Sequence, residues 1–252
     1  MKVIFVGAGP GDPELLTRKA ARLLESCQCC VYAGSLVSPE VVALVPADAE
    51  KYDSAGMTLE ETTAVCIKAR ERGIDVIRLH TGDPSIYGAI REQMVELDRL
   101  GIAYEVVPGV SSFQAAAAAL KTELTAPEVS QTIILTRTAG RTPMPAGQEL
   151  ERMAQTQATL CIFLSVHNMA EVAQTLSAHY GADCPIAVVY RASWPDQIIA
   201  EGTLADIAGK VAKAGIGKTA MIVVGRALER SGAVSRLYSG EFTHGYRKAK
   251  HE

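Results

Sequence analysis

Three glycine-bearing segments carry the residues best suited to ligand chemistry in this chain of 252 residues. The first is Gly7-Ala8-Gly9-Pro10-Gly11-Asp12-Pro13. The second is Leu79-His80-Thr81-Gly82-Asp83-Pro84-Ser85-Ile86-Tyr87-Gly88, and the third is Val107-Pro108-Gly109-Val110-Ser111-Ser112. Glycine density directly after a strand lets the backbone approach a ligand or another backbone closely. Hydroxyls and carboxylates interleaved with the glycines add donors and acceptors. Asp12, His80 and Tyr87 are the titratable side chains placed to move a proton. Asp83 has two readings of equal standing: it accepts from ligand hydroxyls or amines, or it caps a helix beginning near Ser85. His80, at the end of an apolar strand, reads either as a base or as a hydrogen-bonded structural histidine.

Several chemistries fail on these same residues. A dinucleotide fingerprint needs glycine where Asp12 stands, and no Asp or Glu closes the second strand about 20 residues later to hold a ribose. No Gly-Lys-Ser/Thr follows to make a phosphate loop. The net charge of −3 divides into −5 over residues 1–120 and +2 over residues 121–252, and neither half has the basic surplus of a nucleic-acid binder. No apolar run reaches the roughly 18 to 20 residues of a membrane span, and the N-terminus lacks signal-peptide character, so a cytoplasmic protein with no membrane partner is expected. Cys27, Cys29, Cys30, Cys66, Cys161 and Cys184 read as isolated, buried free thiols, with no C-x-x-C pair and no histidine at zinc-ligand spacing; no metal site is expected.

The elements that must position the loops follow from periodicity. Strands are expected at 2–7, 29–32, 75–79 and 104–107, and helices at 13–25, 59–72, 86–100 and 113–120. Such alternation implies a mainly parallel sheet with helices on both faces, so that all three loops leave one carboxyl edge. A polar stretch at 121–128 is the candidate linker. A second alternation has strands near 132–135, 160–164, 186–190, 197–202 and 220–225, helices at 169–179 and 204–214, and a long loop at 138–147. The fold class is therefore α/β, with two domains of similar size, 1–120 and 121–252, and a ligand cleft between them. Residues 246–251 read as a solvated tail.

Taken together, Gly9-Pro10-Gly11-Asp12-Pro13 with Leu15-Leu16-Thr17, Thr81-Gly82-Asp83-Pro84 with Ile86-Tyr87-Gly88, and Val107-Pro108-Gly109-Val110-Ser111-Ser112 resemble the tetrapyrrole (corrin/porphyrin) methylase family, in order and spacing, over almost the whole chain. Tyr32-Ala33-Gly34-Ser35-Leu36-Val37, Asp53-Ser54-Ala55-Gly56-Met57-Thr58-Leu59, Leu135-Thr136-Arg137 and Tyr190-Arg191-Ala192-Ser193-Trp194-Pro195 narrow the likeness to the branch that methylates ring carbon C11 of precorrin-4 or cobalt-precorrin-4. Members acting on uroporphyrinogen typically carry an acidic residue where this chain has Ala33-Gly34-Ser35. The resemblance implies a tetrapyrrole methylase fold that is not Rossmann, a homodimer, and S-adenosylmethionine as methyl donor for a tetrapyrrole substrate. Carried over by position, the cofactor contacts are Pro10, Thr81, Gly82, Asp83, Ile86, Ser111, Ser112, Leu164, Ala192, Ala220 and Met221. Without the resemblance Leu164 and Met221 would read as core. A polycarboxylate substrate calls for guanidinium partners, and Arg91, Arg137 and Arg191 are the candidates. Another methylase of the same fold and a non-catalytic S-adenosylmethionine-binding module remain as alternatives.

Overall fold

Strict alternation explains the first strand. In β1 (Lys2–Gly7), Ile4 and Val6 enter one apolar cluster and Val3 and Phe5 enter another, all of them buried. The computed structural model describes residues 1–34, 36–140, 142–229, 239, 242–243 and 245–249. They pack as two units: Met1–Ala116 together with Arg191–Gln197, and Ala117–Tyr190 together with the chain from Ile198. Ser35, within the Tyr32–Val37 motif, and Lys250 and His251 of the expected tail lie outside the described residues.

In the first unit β1 is followed by α1 (Arg18–Glu25), β2 (Cys29–Tyr32), α2 (Pro39–Val42), β3 (Glu50–Asp53), α3 (Leu59–Glu71), β4 (Val76–His80), α4 (Arg91–Arg99), β5 (Ala103–Val107) and α5 (Ser112–Leu120), the last of which runs on into the second unit. The sheet order is β3-β2-β4-β1-β5 and every pairing is parallel. Ala20 and Leu24 of α1 cover one face, while Val65, Cys66 and Ala69 of α3 and Leu97 of α4 cover the other. Gly7 pairs with His80, and Val6 with both Leu79 and Val107, so β1, β4 and β5 end level with one another. The three glycine loops leave that level edge side by side.

Several expected boundaries are corrected. The helix expected over 13–25 divides into a 3-10 turn, Pro13–Leu15, and α1, because extended Thr17 breaks the run and its side chain accepts from the Ala20 amide as the α1 cap. The helix expected from 86 begins only at Arg91. Tyr87 (φ 54°) and Ala89 (φ 50°) hold left-handed conformations that no α-helix accommodates. β3 and α2 were not foreseen: β3 is a polar edge strand, and α2 is a single turn started by Ser38 and Pro39.

The second unit contains β6 (Ile133–Arg137), α6 (Leu150–Ala154), β7 (Thr159–Phe163), α7 (Met169–Tyr180), β8 (Pro185–Tyr190), β9 (Ile198–Thr203), α8 (Ile207–Lys213) and β10 (Ala220–Val224). Its sheet order is β6-β7-β10-β8-β9. Only β6 and β7 run parallel; β10 is antiparallel to β7 and β8, and β8 to β9. The expectation of a mainly parallel sheet is thus corrected here. Strands β8 and β9 form a hairpin whose connection, Arg191–Gln197, packs with the first unit. Helices α6, α7 and α8 place Leu150, Ala154, Val172, Leu176, Ile207 and Val211 in one cluster with Leu160, Ile162, Ile186, Val188, Ile222 and Val224 of the sheet.

All six cysteines are buried and free. Their expected isolation fails for one pair: Cys27 and Cys30 do stand at C-x-x-C spacing and face the same cluster.

Candidate functional site

The three loops are laced into one another by their backbones. Ala8 N donates to the His80 carbonyl at 2.7 Å, Gly82 N to the Gly9 carbonyl at 2.8 Å, and Gly9 N to the Gly82 carbonyl at 3.3 Å. Gly9 and Gly82 have φ of 66° and 61°, a region L side chains rarely enter. The first loop also touches the third: a Cβ on Gly7 would lie 2.6 Å from the Gly109 Cα and 2.7 Å from the Gly82 carbonyl oxygen. Glycine at 7 and 109 is therefore demanded by backbone against backbone.

Asp83 completes the lacing in a way neither sequence reading anticipated. One carboxylate oxygen accepts from the Gly109 amide of the third loop at 2.9 Å. The other accepts from the Ser85 amide at 2.8 Å and from the Ser85 hydroxyl. No helix starts near Ser85, so the capping reading is corrected: Asp83 closes a turn in its own loop and ties that loop to its neighbour. Burial alone would raise this carboxyl, but hydrogen bonds from the Ser85 hydroxyl and from the Gly109 and Ser85 amides outweigh it and hold the group below its ordinary value.

The other candidates in this unit take distinct places. Pro10 and Gly82 are buried, Thr81 is exposed and Ile86 half-buried. Ser111 is buried with its amide donating to the Gln114 side chain at 2.9 Å, and Ser112 opens α5. Asp12 caps the turn after the first loop, accepting from the Glu14 amide at 2.8 Å. Tyr87 is 45% exposed. Ala192 is buried in the Arg191–Gln197 connection, beside Ser193 and Trp194. That connection reaches the first loop directly: the Trp194 indole N–H donates to the Pro10 carbonyl at 2.8 Å, and the Asp12 amide donates to Ser193 Oγ at 3.1 Å. Sequence reasoning quoted this motif yet gave Ser193 and Trp194 no role. The available signal was the chain's single tryptophan inside a connecting loop.

In the second unit, Leu164 follows β7 with φ 56° and is 63% exposed, so the core reading fails for it. Met221 is buried and, with Ala220, opens β10 opposite Val189 and Tyr190. Of the arginines, Arg91 is exposed at the start of α4. Arg137 donates to the carbonyls of Thr138, Thr142 and Pro143 at 3.0, 3.1 and 3.0 Å, which shapes its own loop. Arg191 pairs with Asp196 at 2.5 Å and lies over the Trp194 ring, 4.7 Å from its centre.

His80 is 7% exposed, packs against Phe5, and leaves Nε2 without a hydrogen-bond partner. Burial, reinforced by the nearby Arg78 charge, pushes its imidazole down to about 3 despite a hydrogen bond to the Gly88 backbone. The ring is neutral at neutral pH. An unfolded histidine takes up a proton near its ordinary value of 6.5 and the folded one does not, so acidification from there toward about 3 favours the unfolded chain. The slope has a ceiling of about 1.4 kcal/mol per pH unit. We expect His80→Gln to flatten the fall in stability below pH 6.5, measured by denaturant unfolding at stepped pH; an unchanged slope would contradict a buried neutral imidazole.

The family described as Tetrapyrrole (Corrin/Porphyrin) Methylases matches residues 2–208. The chain is 53% identical over 250 residues to a cobalt-precorrin-4 C(11)-methyltransferase of Methanocaldococcus jannaschii, covering 98% of this chain and 96% of that one. It is 50% identical over 248 residues to a precorrin-4 C(11)-methyltransferase of Pseudomonas aeruginosa, with 98% and 99% covered. Among solved structures, a cobalt precorrin-4 methyltransferase superimposes with a TM-score of 0.88 at 44% identity, over 90% of this chain and 96% of that one. A uroporphyrin-III C-methyl transferase from Thermus thermophilus, complexed with S-adenosyl homocysteine, gives 0.77 at 30% identity, over 90% and 99%.

Proposed function

The chain belongs to the tetrapyrrole (corrin/porphyrin) methylases, and from that membership we propose that it methylates ring carbon C11 of precorrin-4, or of its cobalt form, using S-adenosylmethionine. The observation that carries the reading is identity of 53% and 50% over almost the whole chain to two C(11)-methyltransferases; the three glycine loops laced at one sheet edge by Asp83 and by paired backbone groups are the scaffold proposed for the donor. It is a methyltransferase, as its full-length relatives are.

The residues present fit this donor. The loops Gly7–Pro13, Thr81–Gly88 and Pro108–Ser112 contain no Lys or Arg and two carboxylates, Asp12 and Asp83. A phosphate-bearing ligand would call for cations or a phosphate loop. A sulfonium carrying a methyl group does not, and neutral hydroxyls with tightly packed backbone suit it. We assign Pro10, Thr81, Gly82, Asp83, Ile86, Ser111, Ser112 and Ala192 to the donor, with Leu164, Ala220 and Met221 of the second unit added on the family likeness. When bound, the donor supplies an electrophilic methyl carbon.

The protein's own part is positional. Displacement at that carbon requires nucleophile, methyl and sulfur nearly in line at near-attack distance with water kept out, and rigid placement alone supplies much of the rate. The C11 nucleophile is activated by the conjugated nitrogens of its own macrocycle, and the products are S-adenosylhomocysteine and precorrin-5. This division of labour agrees with the titratable groups: Asp12 and Asp83 are engaged as turn locks and His80 is a buried, very weak base. Arg91 is the candidate partner for a substrate carboxylate, since Arg137 and Arg191 already hold protein groups. The enzyme acts as a homodimer in the cytoplasm on this reading; among the described residues no helix is long and apolar enough to cross a membrane.

Methyl-labelled S-adenosylmethionine offered with metal-free and cobalt-containing precorrin-4 side by side tests the proposal. Label entering either tetrapyrrole is the expected outcome, and the better substrate of the two defines the branch. Donor binding without turnover on either would replace the enzyme with a binding module.

A further inference from the structure

The Arg191–Gln197 connection makes hydrogen bonds that its own hairpin does not require. Its Ser193 hydroxyl and Trp194 indole reach residues about 180 positions earlier in the chain, and both land on the first glycine loop, on the Asp12 amide and the Pro10 carbonyl. The indole also lies where a side chain at Gly11 would be: a Cβ there would overlap the ring. The third glycine of the loop thus has a specific cause, which is that Trp194 sits directly on it.

The connection is itself over-determined. Arg191 and Ser193 are non-glycine residues at φ of 45° and 70°. Such conformations persist only where surrounding contacts enforce them, and they cluster at functional sites. Here the contacts are on hand. The Trp194 amide donates to the Arg191 carbonyl at 2.9 Å, the Gln197 amide to the Trp194 carbonyl at 3.1 Å, and the Ser193 amide to Gln197 Oε1 at 2.8 Å. Arg191, paired with Asp196, lies over the indole ring. These interactions brace a connection whose indole N–H and Ser193 hydroxyl meet Pro10 and Asp12 and whose ring fills the space beside Gly11.

We propose that Ser193 and Trp194 are positioning residues for the methyl donor: they fix the first glycine loop, between Pro10 and Asp12, in the shape that receives S-adenosylmethionine. The proposal rests on the donor-site reading above. It adds that donor affinity is set partly by a segment lying between two strands of the second sheet.

The test compares Trp194→Phe, which keeps a ring but removes the N–H, and Ser193→Ala, which removes the acceptor, with the unaltered full-length protein. Affinity for S-adenosylhomocysteine is read by calorimetry, and KM for the donor, KM for the tetrapyrrole and kcat by steady-state assay. Loss of one hydrogen bond corresponds to a three- to tenfold rise in Kd. The same rise in donor KM is expected, with kcat changing by less than that factor and tetrapyrrole KM unmoved. Tyr180→Phe, which removes a hydrogen bond to the Ala158 carbonyl at 2.5 Å within the second unit, serves as the stability-matched control and should leave donor affinity as it was. A merely structural role would lower thermal stability in all three variants and move donor affinity in none, which would overturn the proposal. If Asp83→Ala also left donor affinity unmoved, the donor-site reading would fall with it; if Asp83→Ala alone weakened binding, only the positioning role would be lost.

Discussion

Asp83→Ala is expected to weaken S-adenosylmethionine binding by at least about 30-fold, roughly 2 kcal/mol, with a smaller effect on tetrapyrrole KM. The carboxylate accepts three hydrogen bonds from two loops, and hydrogen bonds to a charged group contribute about 1.5 to 3 kcal/mol each. Removing it leaves the Gly109 amide without its acceptor and lets the second and third loops move apart. Asp83→Asn should fall between the two, because its amide nitrogen cannot accept from one of those donors. The lock is also a pH statement. The folded carboxyl is held below its ordinary value of 3.8, so the stabilisation is complete above that value and is lost as pH falls through the lower folded value. Donor affinity measured by calorimetry from pH 8 down to pH 5 should therefore show no step from this group, in the wild type or in Asp83→Asn. Unchanged affinity in Asp83→Ala would show that the loops hold together without it.

Gly109→Ala should be strongly destabilising for a single added methyl. Its Cβ would overlap the Gly82 carbonyl oxygen and lie 2.8 Å from the Gly7 Cα, so three segments of backbone would have to separate at the edge of the sheet. Overpacking of rigid neighbours costs about 3 kcal/mol, which for a chain of this size lowers the thermal midpoint by about 10 °C. Activity should fall further than stability does, because the displaced groups are the loops proposed to hold the donor. Gly56→Ala is the matched comparison: that glycine has open space around it and, like Gly109, no positive φ, so an added methyl there meets neither a clash nor backbone strain. Calorimetric unfolding of both variants decides it, and equal midpoints would contradict the close approach of loops one and three.

How far the sequence alone led is best seen at particular residues. Strands β1, β4 and β5 were legible because their apolar runs end at glycine loops, and the convergence of those loops followed from parallel alternation. The direction of the second sheet was not legible. Runs such as Leu160-Cys161-Ile162 and Ile186-Ala187-Val188-Val189 are buried on both sides, and a strand buried on both sides reads the same in either direction. Nor could periodicity show that Tyr87 and Ala89 break the helix expected from 86, since Ile90, Met94 and Leu97 continue an acceptable helical spacing on their far side.

Within the site, residue types were easier to read than their partners. Asp83 stood out, but its tie to Gly109 is a contact across 26 positions that no local pattern encodes. Trp194 and Pro10 are 184 positions apart, and nothing near Gly11 announces that an indole occupies the space of its absent side chain. The three glycine loops contain no Lys or Arg, so on the proposed function an anionic substrate must be met by arginines outside them, and Arg91 is the proposed one.

The proposed reaction places one methyl on one ring carbon, C11. The measurement is carbon NMR, with mass analysis, of the tetrapyrrole formed from precorrin-4 and S-adenosylmethionine labelled at the methyl carbon. One added methyl bonded to C11 is the predicted result; label at any other ring position, or on nitrogen, would contradict it.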